Sequence, residues 1–197
     1  MKNETDEQLL ELIKMGDRAA FVVMVRRHTK YFYRIAYRTL QNTHDAEDIV
    51  QDSFIKLWES PCQWDGQKRS TFTAWFYRII LNRCNDMLRS GNRTITCQVE
   101  EINRLVEGGG VAADHSDALG SDQECSVRYK NLSYAVMLLP DSQRDAVNLV
   151  YYMGLAQKEV SEILSISVKA LESLLMRAKK NMKKTCLKIE LDGGSIR

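Results

Sequence analysis

Residues 93–124, RTITCQVEEINRLVEGGGVAADHSDALGSDQE, divide the chain in two. Three successive glycines, repeated acids and sparse apolar residues leave too little surface to bury. That surface cannot offset the entropy of ordering so long a segment. The stretch, extended to Cys125, reads as a flexible acidic linker over 93–125. A chain of 197 residues is therefore expected to fold as two small units, 1–92 and 126–188.

Both flanks read helical, so the predicted class is all-α. TDEQ at 5–8 is a capping box that opens a short first helix, and Gly16 ends it. Asp17 caps a long second helix whose Phe21, Met24, Val25, His28, Phe32, Ile35 and Ala36 keep a helical period. Thr43 or Asp45 starts a third helix and Pro61 stops it. Ser70 or Thr71 opens a fourth, TFTAWFYRIILNRCNDMLRS, which runs to Gly91. Four helices with short connections predict a compact antiparallel bundle. Past the linker, SVRYKNLSYAVMLL is helical to Pro140, DSQRDAVNLVYYM forms another helix, and two more follow.

Charge is distributed by region. Residues 1–92 carry +2, residues 93–125 carry −5 and residues 126–197 carry +5. Such asymmetry favours a nucleic-acid partner over a small substrate. The longest apolar runs are too short for a membrane span, and MKNETDEQLLELIK lacks a signal peptide's apolar core. Five scattered cysteines with no CxxC pair read as reduced thiols of a cytoplasmic protein. His28 and His44 read as structural or solvated.

Three stretches carry chemistry. In DAEDIVQDSFIKLWE, residues 45–59, the acids Asp45, Asp48, Asp52 and Glu59 gather on one helical face. Ile49, Val50, Phe54, Leu57 and Trp58 line much of the other. Such a stripe suits a metal, a basic partner or plain solvent. A Mg²⁺ site needs carboxylates converging from more than one element, and neither a second acidic cluster nor a nucleotide-binding glycine loop appears. In the fourth helix, Phe72, Trp75, Phe76, Ile79 and Ile80 form an apolar face. Arg78, Asn82, Asn85 and Arg89 form a polar one. With Trp64, Lys68 and Arg69 of the preceding loop, that surface suits unstacked single-stranded bases. Finally, GLAQKEVSEILSISVKALESLLMRAKKNMKK, 154–184, has the spacing of a helix-turn-helix. Ser165–Ile166–Ser167 form the turn, Ser167 caps the second helix, and that helix ends in Arg177, Lys179, Lys180, Lys183 and Lys184.

Taken in order, the acidic helix, the aromatic helix, the linker and LPDSQRDAVNLVYYMGLAQKEVSEILSISVKALESLLMRAKK resemble a bacterial RNA polymerase sigma factor. The two-domain layout is that of the extracytoplasmic-function (ECF) group, and the resemblance covers about 1–92 and 126–186. It implies that Asp45, Asp48, Gln51, Asp52, Phe54 and Trp58 dock core RNA polymerase. It implies that Trp64, Lys68, Arg69, Arg78, Asn82, Asn85 and Arg89 read and help melt the promoter −10 element as a single strand. Ser167, Lys169, Glu172, Ser173, Arg177, Lys179 and Lys180 would then read the −35 element as duplex. An anti-sigma partner is implied too, with no catalytic activity, cofactor or metal of the chain's own. The sequence departs from many relatives at Ser165 (Gly in them), Ser161 (Ala), Glu172 (Lys) and Leu174 (Arg). A carboxylate accepts from cytosine N4 and a leucine meets a thymine methyl, so a different −35 sequence is expected. The competing reading is a helix-turn-helix regulator whose front half senses a ligand.

Overall fold

The computed structural model describes residues 4–64, 71–90 and 131–191. The expected linker and the loop residues Lys68 and Arg69 lie outside them. Every regular element among the described residues is helical. In chain order these are α1 (Asp6–Lys14), α2 (Arg18–Leu40), α3 (Thr43–Glu59) and α4 (Phe72–Ser90). A single 3₁₀ turn, Pro61–Gln63, follows α3. The second half holds α5 (131–137), α6 (Asp141–Val147), α7 (Gln157–Leu164) and α8 (Val168–Leu191).

The caps are those the sequence predicts at three of the first four helix starts. Thr5 and Gln8 close a reciprocal capping box on α1. Asp17 accepts from the N–H groups of Ala19 and Ala20 to open α2. Gly16, between them, takes φ +87°, a left-handed turn that L side chains rarely adopt. Thr71 caps α4 through the Ala74 N–H. The third helix starts at Thr43 as expected, and Asn42 just before it caps that start by accepting from the Asp45 N–H.

Three helices share one aromatic centre. Phe32 of α2 stands 4.5 Å from Phe76 and 5.0 Å from Tyr77 of α4, and 6.0 Å from Phe54 of α3. Phe54 in turn lies 5.0 Å from Phe76. These are favourable tilted and edge-on ring pairs, each worth about 0.5–1.5 kcal/mol beyond the area it buries. Leu9, Leu10 and Ile13 of α1 close the end of the same core.

A polar knot ties α1 to the bundle. Asp6 sits in the first turn of α1, where the helix dipole favours a negative charge. Its carboxylate accepts from Arg27 Nη1 at 2.6 Å and lies 2.8 Å from His28 Nε2, with the Thr73 hydroxyl at 3.5 Å. His28 is thus a buried structural residue, as its place in the helical period implies.

In the second half, α6 packs on α8, and α7 crosses α8 through the turn at Ser165. The helix expected over 141–153 changes pitch. After Val147 it widens into a π-turn, Asn148–Tyr152, where the Met153 N–H reaches back to the Asn148 carbonyl. The wider turn keeps Leu149 fully buried while Tyr151 faces out, an outcome that a 3.6-residue period also allows locally. The halves meet: α7 lies against α4, and Arg38 of α2 stacks on the Tyr152 ring at 3.5 Å.

The Asp6 knot has a pH signature. Burial pushes its carboxyl up, but the hydrogen bonds and charges of His28 and Arg27 outweigh that and hold it below its ordinary value of 3.8. The stabilisation is therefore present above 3.8 and lost as pH falls through the lowered value. Asp6→Asn is expected to cost about 1–3 kcal/mol at pH 7 in urea unfolding followed by circular dichroism. The gap to the parent protein should shrink as pH falls below 3.8.

Candidate functional site

The aromatic centre sets the rotation of α3, and rotation decides which side chains face out. Ala46, Ile49, Val50, Ser53, Phe54 and Leu57 turn inward. Asp48, Gln51 and Asp52 are exposed, and Asp45 is half-buried in the first turn. Asp52 Oδ2 accepts from Arg83 Nη2 at 2.9 Å, and the same guanidinium donates to Ser53 Oγ at 3.0 Å. One carboxylate of the stripe is thus braced by α4. Trp58 is half-buried with its ring 5.1 Å from Phe21.

Phe54 requires a correction. It was expected on the docking surface, yet it is 5% exposed and belongs to the core. Ile55 takes the outward apolar position instead, at 52% exposure. It follows Asp48 by seven residues, Gln51 by four and Asp52 by three, so helical spacing alone puts it amid the acids. The larger ring drew attention away from it.

The polar stripe of α4 is broken up by the fold. Asn82 is exposed and Arg78 half-buried, one turn apart. Trp64, expected as a stacking platform, is 5% exposed, with the Lys14 ammonium 6.0 Å from its ring centre. The turn at Pro61–Gln63 folds the chain back beside α1 and buries that ring.

Asn85 is covered as well: only 6% exposed, it faces α6 rather than solvent. Its Nδ2 donates to Asp145 Oδ2 at 2.9 Å and its Oδ1 accepts from Arg144 Nη2 at 2.8 Å. Arg89 is exposed but engaged, donating from Nε and Nη2 to Asp141 Oδ2 at 3.0 and 2.7 Å. Arg144 completes the group through Asp141 Oδ1 at 2.7 Å. Burial pushes Asp145 up to about 6 against the pull of Asn85 and Arg144. Burial likewise pushes the neighbouring Cys84 thiol up to about 12, so it is not a reactive thiolate. Burial raises Asp141 as well, but its arginine partners outweigh that and hold it below 3.8.

The helix-turn-helix has the expected local chemistry. Ser167 Oγ accepts from the Ala170 N–H at 3.1 Å and caps α8. Ser165 takes φ +56°, the left-handed conformation that explains why glycine suits that position. Leu171, Leu175 and Ala178 face the core. Lys169, Glu172, Arg177, Lys179 and Lys180 are exposed, and Ser173 is half-buried with its hydroxyl on the Lys169 carbonyl. Met176, 70% exposed between Glu172 and Lys180, shares this outer face. Its i+4 spacing from Glu172 was the available signal. The cations on this surface have no carboxylate partner among the described residues, so the face is basic except at Glu172.

Known proteins share this chain's sequence pattern and its fold. A family model described as sigma-70 region 2 matches residues 24–94, and one described as sigma-70 region 4 matches residues 129–182. The chain is 30% identical over 179 residues to RNA polymerase sigma factor CnrH of Cupriavidus metallidurans, covering 89% of this chain and 91% of that one. It is 29% identical over 178 residues to ECF RNA polymerase sigma factor SigW of Bacillus subtilis, covering 89% and 93%. Among solved structures, CnrH in complex with the cytosolic domain of CnrY shares the fold at TM-score 0.63 and 22% identity, over 98% of this chain and 100% of that one. The sigma factor RpoE bound to the anti-sigma factor NepR from Bartonella quintana does so at TM-score 0.54 and 21% identity, over 86% and 97%.

Core burial of Trp64 separates packing from recognition. Trp64→Ala is expected to cost about 3–5 kcal/mol of stability, read as a lowered unfolding midpoint in urea.

Proposed function

The chain belongs to the ECF sigma factors of bacterial RNA polymerase, and on that premise we propose how its surfaces divide the work of bringing the polymerase to promoters. The stripe of Asp45, Asp48, Gln51 and Asp52, with Ile55 among them and Trp58 beside, docks core polymerase. The observation that carries this is an acid face projected from a helix whose opposite side is locked into the aromatic core. A basic partner meeting such a rigid stripe gains orientation and a fast encounter more than affinity.

Residues 1–92 take the −10 element, 93–125 join the halves, and 126–188 take the −35 element. Arg78, Asn82 and Arg89, with Lys68 and Arg69 of the loop, receive the unpaired strand. The half-buried Trp75 stands one turn before Arg78. Unstacking a base costs a few kcal/mol, and stacking at about 1–3 kcal/mol per base offsets it, so capture favours the melted state. On α8, Lys169, Glu172 and Ser173 face base edges near the helix start, while Arg177, Lys179 and Lys180 hold phosphates. Nucleotide chemistry belongs to the polymerase, and no covalent step to this chain. No helix among the described residues is long and apolar enough to cross a membrane, and we assign the protein to the cytoplasm, where polymerase and DNA are. The solved RpoE relative is held by an anti-sigma factor, and a partner of that kind is proposed here.

Co-purification with core polymerase and open-complex formation on promoter DNA test the whole reading. Asp48→Lys is expected to weaken core binding about five- to tenfold at low salt, and less at high salt. Asn82→Ala should lower open-complex yield up to about tenfold, the scale of one lost hydrogen bond, with core affinity unchanged within about twofold. Equal loss of both activities would exclude strand capture by Asn82.

A further inference from the structure

The helix α2 carries one sign of charge. Between Arg18 and Leu40 it holds six cations, Arg18, Arg26, Arg27, Lys30, Arg34 and Arg38, and no carboxylate. Four of them, Arg26, Lys30, Arg34 and Arg38, recur at every fourth residue. They form a row in which neighbours are about 6 Å apart along the helix axis. A solvated helix face normally mixes its signs, so that residues four apart attract. Here three successive pairs repel.

Little within the chain relieves that repulsion. Arg27, beside the row, is engaged by Asp6, and Arg38 at the end of the row stacks on the Tyr152 ring. Arg26, Lys30 and Arg34 make no side-chain ion pair or hydrogen bond among the described residues. Arg26 and Lys30 are exposed, and Arg34 is half-buried. A row of like charges kept in this state is costly to the helix and suits a polyanion from outside.

Aromatic rings stand beside the cations. Tyr33 and Tyr37, both half-buried, lie one turn apart, with ring centroids 5.9 Å from each other and planes only 16° apart. Cations in a line with flat rings along them are the two parts of a surface that tracks a nucleic-acid strand. The charges meet phosphates, and the rings offer a face to unpaired bases. An acidic protein would meet the cations but would leave the ring pair without a counterpart.

The row is separate from the surfaces assigned above. Phe32 points from α2 into α3 and α4, against Phe54, Phe76 and Tyr77. At about 100° per residue, Arg26, Lys30 and Tyr37 lie on the far side of α2 from Phe32. They therefore face away from both the acids of α3 and the polar stripe of α4. We propose that Arg26, Lys30 and Arg34, with Tyr33 and Tyr37, form a further binding site for single-stranded nucleic acid on the outer side of α2. The site does not rest on the reading of α4 as the strand-capturing helix or of α8 as the duplex reader.

The test measures, by fluorescence anisotropy over a range of salt, the affinity of the full-length protein for labelled random strands of about 20 nucleotides, DNA in one arm and RNA in the other. Arg26→Gln combined with Lys30→Gln alters two exposed positions, and circular dichroism should show unchanged helical content. Affinity is expected to fall about fivefold at low salt. The slope of log affinity against log salt should flatten by about 1.4, for two contacts at about 0.7 each. Tyr33→Leu keeps the charge and is expected to lower affinity about fivefold or more, with the slope unchanged. Lys56→Gln removes an exposed cation of α3 and should leave affinity within about twofold. A loss confined to one arm supports the site and identifies the strand as DNA or RNA. Unchanged affinity and slope in the Arg26/Lys30 variant overturn the site. An equal loss per charge from Lys56→Gln also overturns it, leaving net charge alone. Loss in the Arg26/Lys30 variant with none in Tyr33→Leu overturns the strand as occupant and assigns the row to an acidic protein.

Discussion

Phe32, Phe54 and Phe76 meet from three different helices, and the rest of the molecule takes its orientation from that meeting. Rings of this size cannot rotate away without opening a cavity, and close-packed interiors resist voids. With one face of α3 pinned inward, its carboxylates have one direction left, outward. With one face of α4 pinned, Arg78 and Asn82 line the far side of the same bundle. The exposed acids of α3 and the polar face of α4 are both consequences of how one core is filled.

Polar contacts do a different job in this protein. At α1, Asp6 is met by Arg27 and His28, and the charge stays ionised in a half-buried place because its partners outweigh desolvation. Between the halves, desolvation wins at Asp145, whose single engaged oxygen and idle second one leave it poised near pH 6. The first arrangement fastens an element for good. The second lies between the halves, whose buried apolar residues also join in one core.

Much of the fold was legible in the sequence because helices announce themselves locally. Thr5, Asp17 and Ser167 cap where short polar side chains precede an amphipathic run, and Pro61 stops α3 where it removes a donor. The exposed residues of α8 follow from periodicity around Leu171, Leu175 and Ala178. Family membership was legible for the same reason, since the acidic helix, the aromatic helix and the helix-turn-helix are local patterns in a set order.

What the amino-acid order determined by itself was therefore the set of helices, most of their starts and stops and the charge of each face. Only the tertiary structure decided that Phe54 and Trp64 go inside while Ile55 stays out, that Asn85 is covered by α6, and that the chain after Val147 widens into a π-turn. The physical reason is range. Caps and periodicity act over a few residues, whereas Asn85 meets Asp145 across 60 positions, and no local pattern carries the energy of a contact that exists only once the chain has folded.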